Sequence, residues 1–214
     1  EVFARLGDVL LEETRYAAAV EAYRVVLELD PLSPDAPGIQ GKIVVAWSRD
    51  RRLDREIEER QALVDAFSEG TPWWQRNKGR PELVASVRDL VETSLLRVAS
   101  FHHAQAQQRK AEGKPEEAVE QYRAAAKAYG GYLERFPRSK QANQISYAHA
   151  ECLFHARAFG PAARAYAAVR DDPAGDRHWT EAALSAVLAW EGEVTRLQLA
   201  GELPDRPVRL SSDR

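Results

Sequence analysis

From Phe3 to Pro31 the apolar residues recur at helical spacing rather than in strand alternation. Phe3, Leu6 and Leu10 share one face with Gly7 between them, Ala19, Tyr23 and Val26 follow at steps of four and three, and Pro31 breaks the pattern. This predicts helices over about 1–13 and 16–30 with a turn at Thr14–Arg15. Small residues at Gly7 and Ala19 predict a close antiparallel approach, with Tyr23 filling the space toward the next pair. A second pair is predicted at about 38–49, carrying Ile43, Val44 and Trp47, and 52–67, carrying Leu53, Ile57, Leu63, Val64 and Phe67. Its apolar spacing is helical, but the small residues are missing.

Further on, Thr71-Pro72-Trp73-Trp74 reads as a short helical turn with Thr71 as N-cap and Pro72 in first position. No breaker then occurs from Glu82 to about Glu112, a run long enough to bridge two parts of the chain or to bend near Ser100. Gly113-Lys114-Pro115 marks a turn. The next helix extends to about Arg135, and Gly130-Gly131 inside it marks a kink or a close backbone contact. Ser139 is the expected N-cap of a helix over 140–156, Phe159-Gly160-Pro161 the next turn, and Asp171-Asp172-Pro173 the end of the helix that follows. A last helix is predicted over about 176–200, capped by Gly201, and Glu202–Arg214 has the composition of a linker or disordered tail.

The unit Ala19, Tyr23, Val26 returns as Ala118, Tyr122, Ala125 and as Ala162, Tyr166, Val169. It resembles the tetratricopeptide repeat (TPR), a helix-turn-helix unit: Phe3, Leu6, Gly7, Leu10, Ala19, Tyr23, Val26 and Pro31 occupy its signature positions, with Leu10 and Val26 as substitutes. The resemblance implies an all-α, right-handed superhelix of antiparallel helix pairs with some lengthened helices. Residues 1–201 would form that domain, with pairs at about 1–31, 38–69, 82–137 and 139–173 and a final helix at 176–200. Ala118 and Ala162 lie 44 residues apart, more than the usual period of about 34; longer helices account for this. Such irregular arrays resemble periplasmic, lipoprotein-type repeat proteins that help assemble outer-membrane machinery.

The order of segments also resembles large TPR proteins of myxobacteria, including those of the adventurous gliding-motility apparatus. The stretches that carry this are Ala36–Val44, Trp73–Asn77, Phe101–Ala106, Tyr132–Pro137 and Ala182–Val187. What the likeness implies is a bacterial scaffold that holds other proteins in the periplasm or cell envelope, with no catalytic residues.

Composition narrows the function classes. Hydrophobic residues make up 44% and charged residues 29%, which favours a folded chain. The net charge of −3 offers no electrostatic case for nucleic acid. No stretch reaches the roughly 20 apolar residues of a membrane helix. The chain contains no Met and opens inside a helical pattern at Glu1, which reads as a fragment of a longer protein.

Candidate chemistry is sparse. His102 and His103 are adjacent and diverge, His149 and His155 face different sides, and His178 stands apart, so no metal-ligand spacing is formed. Cys152 and His155 share a helical face, but a cysteine packed in a helix is a poor nucleophile and reads as a small buried hydrophobe. There is no phosphate-binding glycine loop and no nucleophile elbow. No cofactor and no enzymatic activity are expected. The charged run Arg49–Arg60 reads as a solvated helix face, with Asp54, Glu58 and Glu59 meeting Arg51, Arg55 and Arg60. Trp73-Trp74 reads as packing between helices.

If the repeat fold holds, the first helix of each pair lines a concave surface. The resemblance places Glu1, Ala4, Asp8 and Leu11 there in the first repeat, then Ser100, His103, Gln107 and Lys110, then Gln144, Tyr147, Glu151 and Phe154. Ala4 and Asp8 stand where carboxylate-gripping relatives carry Lys and Asn, which argues against that subtype. The expected partner site is therefore His103, Gln107, Tyr147, Glu151 and Phe154, contacting an extended or helical segment of another protein. The competing expectation is a spacer in a longer, self-associating solenoid, which exposed apolar surface at both ends would favour.

Overall fold

The computed structural model describes residues 1–172 and 178–203. Among these the chain forms ten helices: α1 (Val2–Glu12), α2 (Tyr16–Leu29), α3 (Ala36–Arg49), α4 (Leu53–Phe67), α5 (Pro72–Asn77), α6 (Pro81–Ala111), α7 (Pro115–Arg135), α8 (Ala142–His155), α9 (Phe159–Asp171) and α10 (Trp179–Leu199). The described residues are all-helical. None of their helices is long and apolar enough to cross a membrane. Two compact units divide them, with the boundary between Phe101 and His102, inside α6.

One turn geometry recurs five times among the described residues. Thr14, Arg51, Gly113, Arg157 and Gly201 all adopt a left-handed backbone, with φ of 60°, 58°, 74°, 61° and 72°. In each case the next amide N–H reaches back to a carbonyl five residues earlier: Arg15 to Leu10, Arg52 to Trp47, Lys114 to Arg109, Ala158 to Leu153 and Glu202 to Leu197, all at 2.9–3.0 Å. This is the Schellman closure that satisfies helix-end carbonyls. Three of the five carry a side chain where glycine is the easy choice, at roughly 1–2 kcal/mol each.

These turns fix a common register. Five and nine residues past the left-handed position stand Ala19 and Tyr23, Ala118 and Tyr122, and Ala162 and Tyr166, all buried. In the second pair the same places hold Glu56 and Arg60. Here Glu56 is buried and its Oε1 accepts from Arg60 Nε at 2.8 Å and Arg97 Nε at 3.4 Å. Burial alone would raise the Glu56 pKa, but the two guanidiniums overcome it and the pKa is lowered net. An ion pair thus replaces the small-on-aromatic contact. The expected solvated face over residues 49–60 is corrected at this residue. Of the charges on α4, Arg55 does meet Glu58 at 2.9 Å, whereas Glu59 turns to Arg24 of α2 at 2.8 Å.

Unit 1 is built by packing in chain order: α1 on α2, α2 on α3, α3 on α4. Its core gathers Leu10, Ala19, Val20, Tyr23, Ile39 and Ile43. A Cβ on Gly7 would fall against the Tyr23 ring, 2.7 Å from Cδ1. Tyr23 therefore does two jobs: it packs on Gly7 within its own pair and joins α3 in the core. Its hydroxyl donates to Asp8 at 2.7 Å. The expected stripe of α1 is only partly used. Leu10 is buried, while Phe3 and Leu6 stay 43% and 45% exposed.

The short helix α5 is an anchor. Thr71 caps it, accepting from Trp74 N at 3.3 Å. Trp73 is buried edge-on against Phe67 and donates from Nε1 to Ser33 O at 2.7 Å. Asn77 Nδ2 donates to Leu32 O at 3.1 Å and to Trp73 O at 3.0 Å. Together they pin the loop between α2 and α3. That loop is shorter than expected, since α3 begins at Ala36, with Pro37 in its first turn.

In unit 2, α7 packs on α8, α8 on α9 and α9 on α10. The Gly130-Gly131 pair lies inside a helix assigned without interruption over Pro115–Arg135, and Gly130 marks a close approach, since a Cβ there would come 3.3 Å from His149 Nε2. Gly192 serves α9 against α10: a Cβ there would stand 2.8 Å from Phe159 Cδ1. Two boundaries differ from expectation. Ser139 does not cap α8; its hydroxyl accepts from Tyr132 at 2.7 Å instead, and α8 starts at Ala142. Phe159-Gly160-Pro161 is the first turn of α9, because the chain reverses at Arg157–Ala158. The expected start of the last helix at 176 and the tail from 204 onward lie outside the described residues.

Replacing Gly7 with Ala forces a methyl into the Tyr23 ring. We expect a loss of about 2–3 kcal/mol in stability, read by chemical denaturation. An unchanged midpoint would mean that the two helices can move apart at no cost.

Candidate functional site

The expected partner residues lie on two helices of unit 2, His103 and Gln107 on α6 and Tyr147, Glu151 and Phe154 on α8. The structure brings them together in pairs rather than in one ring. Gln107 is exposed, with Nε2 3.3 Å from His103 Nε2 one turn away. Tyr147 and Glu151 stand one turn apart on α8. Burial raises the Tyr147 hydroxyl pKa, and the neighbouring Glu151 charge adds to it.

Several of these side chains are also packing residues. The His103 ring lies 5.9 Å from Tyr122 and 6.0 Å from Tyr129. Tyr147 stacks on His178 at 4.5 Å and meets Tyr166 edge-on at 5.9 Å. Phe154 meets His155 at 5.6 Å and Phe159 at 5.5 Å. Tyr122 in turn lies 4.8 Å from His155. The rings thus form a continuous line from His103 through Tyr122 and His155 to Phe154 and Phe159. Sequence reasoning missed His155 and His178 as members of this surface. Their signal is the recurrence of Tyr at the repeat position that each ring system surrounds.

Burial raises the Glu151 carboxyl above its usual range, partly offset by His178. Burial also pushes the Cys152 thiol up to about 12, so it stays protonated. Among the described residues no group of three or more His, Cys, Asp or Glu is placed to hold a metal ion.

A second surface lies wholly within unit 1. It is an apolar cleft of about 810 Å³ between the start of α1, the end of α2, the Asp30–Asp35 loop, the start of α3 and the first turns of α6. Glu1 and Ala4, two of the first-repeat groove positions, line it. Asp8, the third, is occupied internally: its Oδ1 accepts from Lys42 Nζ at 2.6 Å and from Tyr23. These hydrogen bonds, Lys42 first, lower the Asp8 pKa. The contribution of Leu83, Val87 and Leu90 was not legible in the sequence, because they lie far along the chain from α1. No protein-family model matches the chain, and no curated protein is significantly similar to it.

The half-buried histidines should make unit 2 acid-sensitive. Burial holds His103, His149 and His155 below the ordinary 6.5; Lys110 and His103 further depress His155, while Glu134 opposes the shift at His149. As pH falls through about 6.5, the unfolded chain takes up protons that the folded chain refuses, so stability falls until the folded values are passed. Glu151 acts in the opposite sense: burial raises its carboxyl, so it regains stability as pH falls through its folded value toward 4.5. We expect the melting temperature to drop by about 5 °C between about pH 7.5 and about pH 5.5. His103→Gln with His155→Gln should flatten that slope; an unaltered slope would assign it to other groups.

Proposed function

We propose that this chain is a non-catalytic scaffold of the tetratricopeptide type, a right-handed superhelix of helix pairs that holds other proteins. The observation that carries the reading is the recurrence of one left-handed turn at five helix ends, followed in three cases by the same buried Ala–Tyr packing. A repeat built this way presents its first helices in a row, and binding then depends on the side chains they display. His103, Gln107, Tyr147, Glu151 and Phe154 contact a segment of the partner, through aromatic faces and a half-buried carboxylate. The bacterial envelope or motility setting is supported by the sequence resemblance.

The test is affinity capture from soluble and envelope fractions of the source organism. Envelope proteins should be retained by the intact chain and lost, by about tenfold, with Gln107→Ala plus Glu151→Ala at an unchanged melting temperature. Loss only in proportion to unfolding would remove these residues from the site.

A second reading has its own support. The end helices α1 and α10 both show apolar surface to solvent: Val2, Leu6 and Val9 on the first, Leu184, Val187 and Leu188 on the last. Such faces suit a spacer stacked within a longer solenoid. That reading predicts concentration-dependent association in light scattering, abolished by Val9→Glu or Val187→Glu. A monomer at all concentrations up to about 1 mM would exclude association between copies.

A further inference from the structure

We infer that the unit 1 cleft docks a protein segment in which bulky apolar residues alternate with lysine or arginine. The inference rests on the interaction-scaffold reading and places a contact at a surface separate from the α6 and α8 residues.

The walls supply the apolar half of the argument. Phe3 and Leu29 border the cleft yet remain 43% and 75% exposed, and Leu83, Val87 and Leu90 close it from α6. Apolar side chains held this way gain about 25 cal/mol for each Å² that a ligand covers. The loop that forms the rim is held in place by Trp73 and Asn77, which bond Ser33 O and Leu32 O. The cleft is therefore formed before a ligand arrives, and little ordering is left for binding to supply.

The rim supplies the charge. Asp30 and Asp35 flank the loop, both exposed, and neither carboxylate meets a cation or caps a helix among the described residues. Lys42 is the one cationic side chain lining the cleft among the described residues, and Asp8 neutralises it at 2.6 Å. The negative end of α2 and the positive end of α3 both reach the rim and offset each other, so the carboxylates set the sign. Fatty acids, anionic lipid surfaces and acidic peptides are repelled from such a mouth. A segment with cationic side chains beside its apolar ones satisfies both walls and rim.

The probe is a fluorescent peptide that repeats Leu and Lys at helical spacing, compared with one that repeats Leu and Glu. Both are titrated onto the full chain and read by fluorescence anisotropy. The Leu–Lys peptide should bind at least about tenfold tighter than the Leu–Glu peptide and weaken as salt rises. Asp30→Asn with Asp35→Asn should weaken it by about tenfold, and Phe3→Ser with Leu29→Ser by at least as much. All four positions are exposed, so the variants should melt with the parent chain. Equal binding of the two peptides, no effect of the Asp variants, or no binding would each overturn the inference. If the peptide fails while envelope proteins are still captured through Gln107 and Glu151, the cleft alone is disproved and the scaffold reading stands.

Discussion

The architecture depends on how closely one helix may approach the next, and Gly7 against Tyr23 shows the constraint in its sharpest form. There is no room for a Cβ between them. The tyrosine fills the gap with its ring, places its hydroxyl on Asp8, and passes the packing on to Ile39 and Ile43 of α3. One aromatic side chain thus couples two successive interfaces. Where the approach is set by small residues again, at Gly192 under Phe159, the same economy recurs between α9 and α10. Dispersion and burial reward such contacts only while the backbones remain close.

The second helix pair keeps the turn and changes the packing. Glu56 and Arg60 stand where the other pairs carry Ala and Tyr. A buried carboxylate is tolerable there because Arg60 and Arg97 both reach it. The exchange brings α6 into the pair electrostatically, through Arg97. Nearby, α5 fixes the α2–α3 loop through two side chains, Trp73 and Asn77, both almost wholly buried. A six-residue helix has little stability of its own, so its sequence is spent on anchoring. The cleft in unit 1 follows from these two departures: a pinned loop on one side, and α6 held alongside on the other.

Unit 2 follows the regular pattern more closely, and its surface is correspondingly aromatic. The tyrosines of the repeat are surrounded by histidines on adjacent helices: His103 and His155 around Tyr122, and His178 on Tyr147 beside Tyr166. Half-buried rings of this kind offer flat, amphipathic contact area at small entropic cost. The histidines among them are also titratable, which should tie the stability of unit 2 to pH.

The helical content, the three Ala–Tyr units and the main turns were legible in the sequence because they rest on local spacing, which the chain carries in itself. Buried Cys152 and Trp73 followed from the same spacing. The turn at Arg51 was legible as well, between helices expected to end at 49 and to start at 52. Helix starts at Ala36 and Ala142 were missed because Ser139 hydrogen-bonds with Tyr132 rather than capping, and because Pro37 suits a first turn as readily as a loop. The candidate partner residues could be named from register, yet which of them are also packed against Tyr129, His178 or Phe159 depends on neighbours from other helices. The unit 1 cleft was not legible at all. Its walls come from α1 and from α6, more than seventy residues apart by number, and its sign depends on Lys42 being claimed by Asp8. Local periodicity determined the elements. Long-range packing and charge pairing, which no window of sequence contains, decided the surfaces they present.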